Sequence, residues 1–200
     1  MKYFKNLLPV LIILLGAGLS LSQEMETPVE VQVPIFLKVL TFDRNFSRRM
    51  GDEIVCAIVY QKKFRKSLNV KNQFREYTKK SAPVQVEDIP FRCIEIDLHS
   101  LLDFEERLKR EKVDVLYLTP LRAVSIESLV TISRSLGITT LTGVVEYCKA
   151  GAAVSIGTRA RAPLIIINHT GAAAEGADFS SQLLKLKLVK VIGENDGGKR

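Results

Sequence analysis

The sequence predicts a single-domain α/β fold: a mainly parallel sheet flanked by helices on both faces, with an antiparallel hairpin near the carboxyl end. Three observations lead there. Ile54–Tyr60 (IVCAIVY) is an unbroken apolar run bounded by charge, the pattern of a strand buried on both faces. From that run to Leu141 strand-like and helix-like stretches alternate, the order that builds parallel βαβ units. The pattern then changes, because residues 152–157 and 164–168 are two apolar runs joined by a short link containing Thr158, Arg159, Ala160 and Arg161, a spacing that suits a hairpin.

Each element has its own justification. Lys2 and Lys5, an apolar stretch over 7–19, and the small residues Ser20 and Ser22 read as a signal peptide over 1–22, cleaved before Gln23. The apolar stretch is shorter than the ~20 residues a membrane span needs, and no Cys follows it to carry a lipid. Residues 23–33 read as a flexible lead-in. Pro34 suits the first turn of a helix, with Val33, Leu37 and Leu40 on one face, so the domain is expected over 34–193. After the strand at Ile54 comes a helix over 62–80, with Phe64, Leu68, Phe74 and Tyr77 turned inward.

Residues 91–98 alternate, which predicts a strand with one wetter face. Leu101, Phe104 and Leu108 form the apolar stripe of a charged helix over 101–112. A strand over 113–118 ends at Thr119-Pro120. A helix over 126–136 is closed by Gly137, whose missing Cβ suits a helix terminus. Residues 138–141 form a short strand. Beyond the hairpin, a small-residue turn leads into a packing helix carrying Leu183, Leu184, Leu186 and Leu188, and 194–200 is a polar tail.

Composition narrows the function. The formal charge of +7 falls to +5 once Lys2 and Lys5 are removed, and the excess is concentrated in 62–80, where Lys and Arg far outnumber the single Glu76. Such a run forms a solvated helix face, or meets anionic headgroups or an acidic partner. Export separates the protein from nucleic acid. Three cysteines, Cys56, Cys93 and Cys148, allow at most one internal disulfide, with its pairing open.

A catalytic constellation is missing. His99 and His169 stand far apart with no HExxH and no Cys/His cluster, so no metal is expected. There is no nucleophile elbow, no Walker loop and no dinucleotide fingerprint, so no cofactor is expected. Asp103, Glu105 and Glu106 lie on a charged helix whose Lys and Arg neighbours neutralise them. The expectation is a non-enzymatic binding protein. In open α/β sheets ligands meet the carboxyl ends of the strands, which supply Thr119 and Arg122 after one strand and Thr142 after another. Arg122 offers a bidentate donor to a carboxylate or phosphate. Arg159 and Arg161 in the hairpin link are further exposed donors, or keep a sheet edge from aggregating.

The carboxyl segment carries a family resemblance. The order Ile167-Asn168, then Ala177-Asp178-Phe179-Ser180-Ser181-Gln182-Leu183-Leu184, resembles the end of the YfiR-like family of bacterial periplasmic proteins. Asn168 resembles the Asn that closes the family's late strand, and Ser180, Ser181, Leu183 and Leu184 resemble the serines and leucines of its last helix. All are fold determinants: Asn168 bonds turn backbone, and Ser180 or Asp178 caps the helix. Phe42 to Phe46 stands where relatives often have Trp-Pro, and Ala152-Ala153 where they often have Gly-Met. Relatives carry paired cysteines; one of theirs is similar to Cys56, whereas another position is Asp114 here. The resemblance implies a periplasmic regulator that binds the sensor domain of an inner-membrane diguanylate cyclase and lowers cyclic di-GMP signalling. An outer-membrane lipoprotein as releasing partner and a homodimer are compatible with it. The alternative from a different class is a periplasmic solute-binding protein, its pocket near Thr119, Arg122 and Thr142.

Overall fold

Burial of one apolar strand on both sides organises the molecule. The computed structural model describes residues 25–193; the signal peptide read at 1–22 and the tail read at 194–200 lie outside these. In chain order the elements are α1 (Val29–Leu40), α2 (Phe46–Arg49), β1 (Ile54–Tyr60), α3 (Arg65–Lys80), β2 (Gln85–Val86), β3 (Ile89–Asp97), α4 (Leu101–Arg110), β4 (Val115–Leu118), α5 (Ile126–Leu136), β5 (Thr139–Thr142), α6 (Val145–Lys149), β6 (Val154–Arg159), β7 (Ala162–Asn168), α7 (His169–Ala174), α8 (Ser181–Leu184) and β8 (Val189–Ile192).

The strands form one eight-stranded sheet in the order β2-β3-β1-β4-β5-β6-β7-β8. β3, β1, β4, β5 and β6 run parallel. β6 and β7 are antiparallel, as the hairpin spacing predicts, and β8 runs parallel to β7. The hairpin turn is tighter than the expected four-residue link: Ala160 and Arg161 alone make it, both at positive φ (49° and 67°), the twist that a two-residue turn needs to match the strands.

Alternation along β1 divides the core into two layers. Ile54, Cys56 and Ile58 face α1 and α3, packing with Phe36, Phe46, Phe74 and Tyr117. Val55, Ala57 and Val59 face α4 and α5, packing with Phe104, Leu108, Leu129 and Val130. A central strand with helices on both sides has no wet face, which is why β1 reads as a continuous apolar run. β3 lies beside it nearer the edge, pairs with the two-residue β2, and keeps its polar alternation. α5 has the predicted bounds, begins where the Ser125 hydroxyl accepts from Ser128 N, and ends at Gly137 in the left-handed conformation, φ 67°.

Three expectations are corrected. The first helix begins at Val29, with Pro34 inside it and Val29, Gln32 and Val33 buried, so 29–33 belong to the fold and are no flexible lead-in. Gln32 explains the early start: its Nε2 donates to Thr27 O at 2.6 Å and its Oε1 accepts from the buried Tyr117 hydroxyl at 3.0 Å, fixing the helix to the sheet. Gly143 makes room, since a Cβ there would overlap the Gln32 amide. In α3 the inward residues are Ser67, Val70, Phe74 and Thr78, so Phe74 holds while Phe64 stands at the N-cap and Leu68 and Tyr77 are half-buried. The expected carboxyl packing helix is only Ser181–Leu184; the chain then turns into β8, leaving Leu186 and Leu188 exposed. Val189, Val191 and Ile192 are β-branched, and β7 offers an open edge, so strand pairing wins over the leucine periodicity.

Candidate functional site

The carboxyl ends of β1 and β3 and the loop after β4 converge on a recess of about 350 Å³ lined by Gln61, Lys62, Lys63, Phe64, Asp97, Leu98, His99 and Arg122. Gln61 ties two of these segments together: its Oε1 accepts from Arg122 N at 2.7 Å and its Nε2 donates to Arg122 O at 3.0 Å. The Arg122 guanidinium then lies over the Phe64 ring, 4.2 Å from the centroid, a placement that holds a cation flat without neutralising it. Among the described residues Asp97 is the only carboxylate lining the recess, and it is engaged: Oδ1 accepts from Lys62 N at 2.9 Å, and Oδ2 lies 3.3 Å from His99 Nε2. No salt bridge among the described residues involves Lys62, Lys63 or Arg122. The local field is positive and aimed at an anion.

The other sequence candidates have different fates. Thr119 is fully buried; its hydroxyl bonds Val59 O at 2.8 Å and Ser67 Oγ at 2.6 Å, which locks β4 and α3 to β1. Thr142 is fully buried too, donating to Leu118 O at 3.0 Å and accepting from Val144 N. Neither presents a polar atom to a ligand, so both belong to the fold. Arg159 donates to Lys187 O at 2.6 Å, bracing the hairpin against the segment before β8, and Arg161 is exposed in the turn; neither lines the recess. Of the sequence candidates, Arg122 alone lines the recess, together with Lys62, Lys63, Phe64 and His99, which the sequence did not single out for binding. The signal was available in the basic start of α3 following directly on the end of β1.

Asn168 does what its position implies: Oδ1 accepts from Gly171 N at 2.8 Å, and Nδ2 donates to Cys148 O at 2.9 Å, capping α7. Ser180 stands at the N-cap of α8, yet its hydroxyl makes no cap bond and finds no partner; Asp178 pairs with Arg44 at 3.5 Å instead. Ser181 opens that short helix, Leu183 is buried and Leu184 packs at the core margin. All three cysteines are free thiols. Cys56 and Cys93 are register partners on β1 and β3, so their thiols are neighbours. The interaction with the Cys56 thiol, followed by Arg75, lowers the Cys93 pKa despite burial, while the same interaction and burial raise that of Cys56. Cys148 packs apart from them against Leu164 and Ile166, and burial pushes it up to about 11.

One buried acid lies far from the recess. Glu175 is fully buried and accepts from Thr140 N (2.8 Å), Thr140 Oγ1 (2.7 Å) and Ser133 Oγ (2.9 Å), joining α7, β5 and α5. Burial raises it to about 7, against the lowering effect of those bonds. No cluster of three metal-ligating side chains occurs among the described residues.

No protein-family model matches the chain, and no curated protein matches it. Solved structures do. A conserved domain protein from Vibrio cholerae O1 biovar El Tor superposes with a TM-score of 0.60 at 16% identity, covering 83% of this chain and 60% of that one. The ABC domain from Streptococcus pneumoniae in complex with L-Trp gives 0.55 at 13% identity, covering 82% and 60%. A substrate-binding protein with adhesive properties from Clostridium difficile, in a ligand-free open structure, gives 0.55 at 15% identity, covering 80% and 59%. The chain thus spans about three-fifths of the structures it resembles, and at these identities the likeness is one of fold.

Proposed function

We propose that this protein is an extracytoplasmic, non-enzymatic binding lobe that holds a small anionic solute at the carboxyl ends of β1, β3 and β4. The observation that carries this reading is the recess itself: Lys62, Lys63 and Arg122 surround a space of amino-acid size, with Arg122 held over Phe64 and Asp97 already occupied. The fold likeness to a substrate-binding protein, and to an ABC domain in complex with L-Trp, supports it. The solute carboxylate or phosphate lies on the Arg122 fork, and its body lies against Phe64 and Leu98.

A second reading is favoured by the recess opening to solvent on a single lobe. A partner protein then supplies the missing wall, which is the role implied by the YfiR-like resemblance: the periplasmic sensor domain of a membrane diguanylate cyclase, held in its inactive state by population shift. Calorimetric titration of the chain with a panel of amino acids, dicarboxylates and phosphate esters separates the two. Saturable binding of one compound, weakened at least tenfold by Arg122→Ala, supports the solute reading. Silence across the panel, with recovery of a cyclase from solubilised membranes on the immobilised chain, supports the regulator.

A further inference from the structure

A second open surface shares no residue with that recess. α1, β7 and the segment before β8 enclose a groove of about 360 Å³ lined by Pro34, Ile35, Phe42, Ile165, Leu186 and Leu188, with Val39 and Leu183 beneath. Leu186 and Leu188 are 40% and 45% exposed, beside the intermediate Ile35 and Phe42, so four large apolar side chains meet water in one place. The charge around the groove has one sign. Lys38 stands in its wall with its ammonium 5.4 Å from the Phe42 ring centroid. Lys185 and Lys187 are exposed beside the two leucines, and the sequence holds no Asp or Glu from 179 to 193. No salt bridge among the described residues involves these three lysines.

We propose that this lysine-rimmed apolar groove docks an acidic amphipathic helix of a partner protein. A groove receives side chains that protrude, as a helix offers at i, i+3, i+4 and i+7, whereas a bilayer receives side chains that project from a convex surface. A second copy of the chain brings the same lysines to the contact and is repelled. The chain's own residues 1–22 carry Lys2 and Lys5 and no acid, again the wrong sign, and residues 194–200 contain no apolar side chain to fill the groove. The lysines set the partner's charge, and the leucines with Phe42 set its apolar stripe.

The test is fluorescence anisotropy with a labelled, end-blocked helical peptide of about 16 residues, Leu on the i, i+3, i+4, i+7 stripe and Glu elsewhere. Saturable binding to the chain from Gln23 to Arg200 is expected, weakened at least tenfold by Leu186→Glu or Leu188→Glu, and also by Lys185→Glu with Lys187→Glu. Leu102→Glu is the control, because Leu102 is 82% exposed on another helix and its replacement leaves binding unchanged. All these side chains are exposed, and circular dichroism verifies the fold of each variant. Binding falls as salt rises. Any of several results overturns the proposal: no binding, equal binding of the peptide with Lys in place of Glu, or capture of the chain by phosphatidylglycerol vesicles in preference to the peptide. A concentration-dependent dimer abolished by Leu186→Glu makes a second copy the occupant. Binding by the chain from Gln23 but not by the full chain assigns the groove to residues 1–22.

Discussion

Buried polar side chains packed on this sheet and exposed ones at its carboxyl rim look alike in the sequence and do opposite things. Gln32, Thr119, Thr142 and Glu175 are buried, and each bonds backbone or a neighbouring side chain. At the rim, Lys62, Lys63 and Arg122 have exposed side chains and keep their charge available. A buried polar group with its bonds complete holds elements in register and has nothing left to offer a ligand. A cation that rests on an aromatic ring keeps both its position and its field. Proximity to a strand end therefore does not identify a ligand contact; the unsatisfied valence does.

The largest expected contrast comes from Glu175→Ala, which orphans Thr140 N and the hydroxyl proton of Thr140 in the interior. It should cost about 3 kcal/mol in urea unfolding and leave solute binding per folded molecule unchanged. Next is pH. The Glu175 carboxyl titrates at about 7 when folded and near its ordinary 4.5 when unfolded. The folded state therefore holds the proton more tightly. Stability is fully present below the unfolded value and is lost as pH rises from about 4.5 through 7, by roughly 3 kcal/mol at 1.36 kcal/mol per unit. Glu175→Gln should flatten that part of the profile, and an unchanged slope would assign it to other groups.

Tyr117→Phe removes one hydrogen bond to Gln32 while keeping the ring against Phe36 and Phe74. About 1 kcal/mol of destabilisation is expected, because the Gln32 oxygen is left without its donor. The smallest stability effect is at the rim: Arg122→Ala should change unfolding by less than about 0.5 kcal/mol, since its side chain is exposed. Its consequence should instead be read in binding. A large loss of stability in that variant would make Arg122 a residue of the buried kind after all.

The parallel layers were legible because burial on two faces writes itself directly into β1 and β4, whose residues leave little choice of environment. α5 was legible for a local reason, Ser125 and Gly137 being chemically suited to its two ends. The carboxyl segment misled because Leu183, Leu184, Leu186 and Leu188 fit a helix by composition, whereas the deciding fact, an unpaired edge on β7, is a property of the assembled sheet. Pro34 misled similarly: a proline is well tolerated at a helix start, but the contact of Gln32 with Tyr117 lies 85 positions apart and extends the helix past it. In the site, Arg122 could be read from its place after a strand. Phe64 could not, because its partnership with Arg122 exists only once β1 and β4 lie side by side. The same holds for Cys56 and Cys93, whose adjacency is a matter of strand register.

β8 gives the sheet an outer border four residues long, and what it borders is Ile165 to Asn168, an uncharged run rich in isoleucine. The link leading into it presents Lys185 and Lys187 to solvent, where a trypsin-like protease cuts. After such a cut β8 is held by its ladder and by Val189 and Ile192 at the core margin, and its departure would uncover an edge able to recruit the same edge of another molecule. One nick in this link would thus loosen the border that keeps the β7 edge from pairing with another copy, which makes the segment before β8 the point at which the sheet is most open to aggregation.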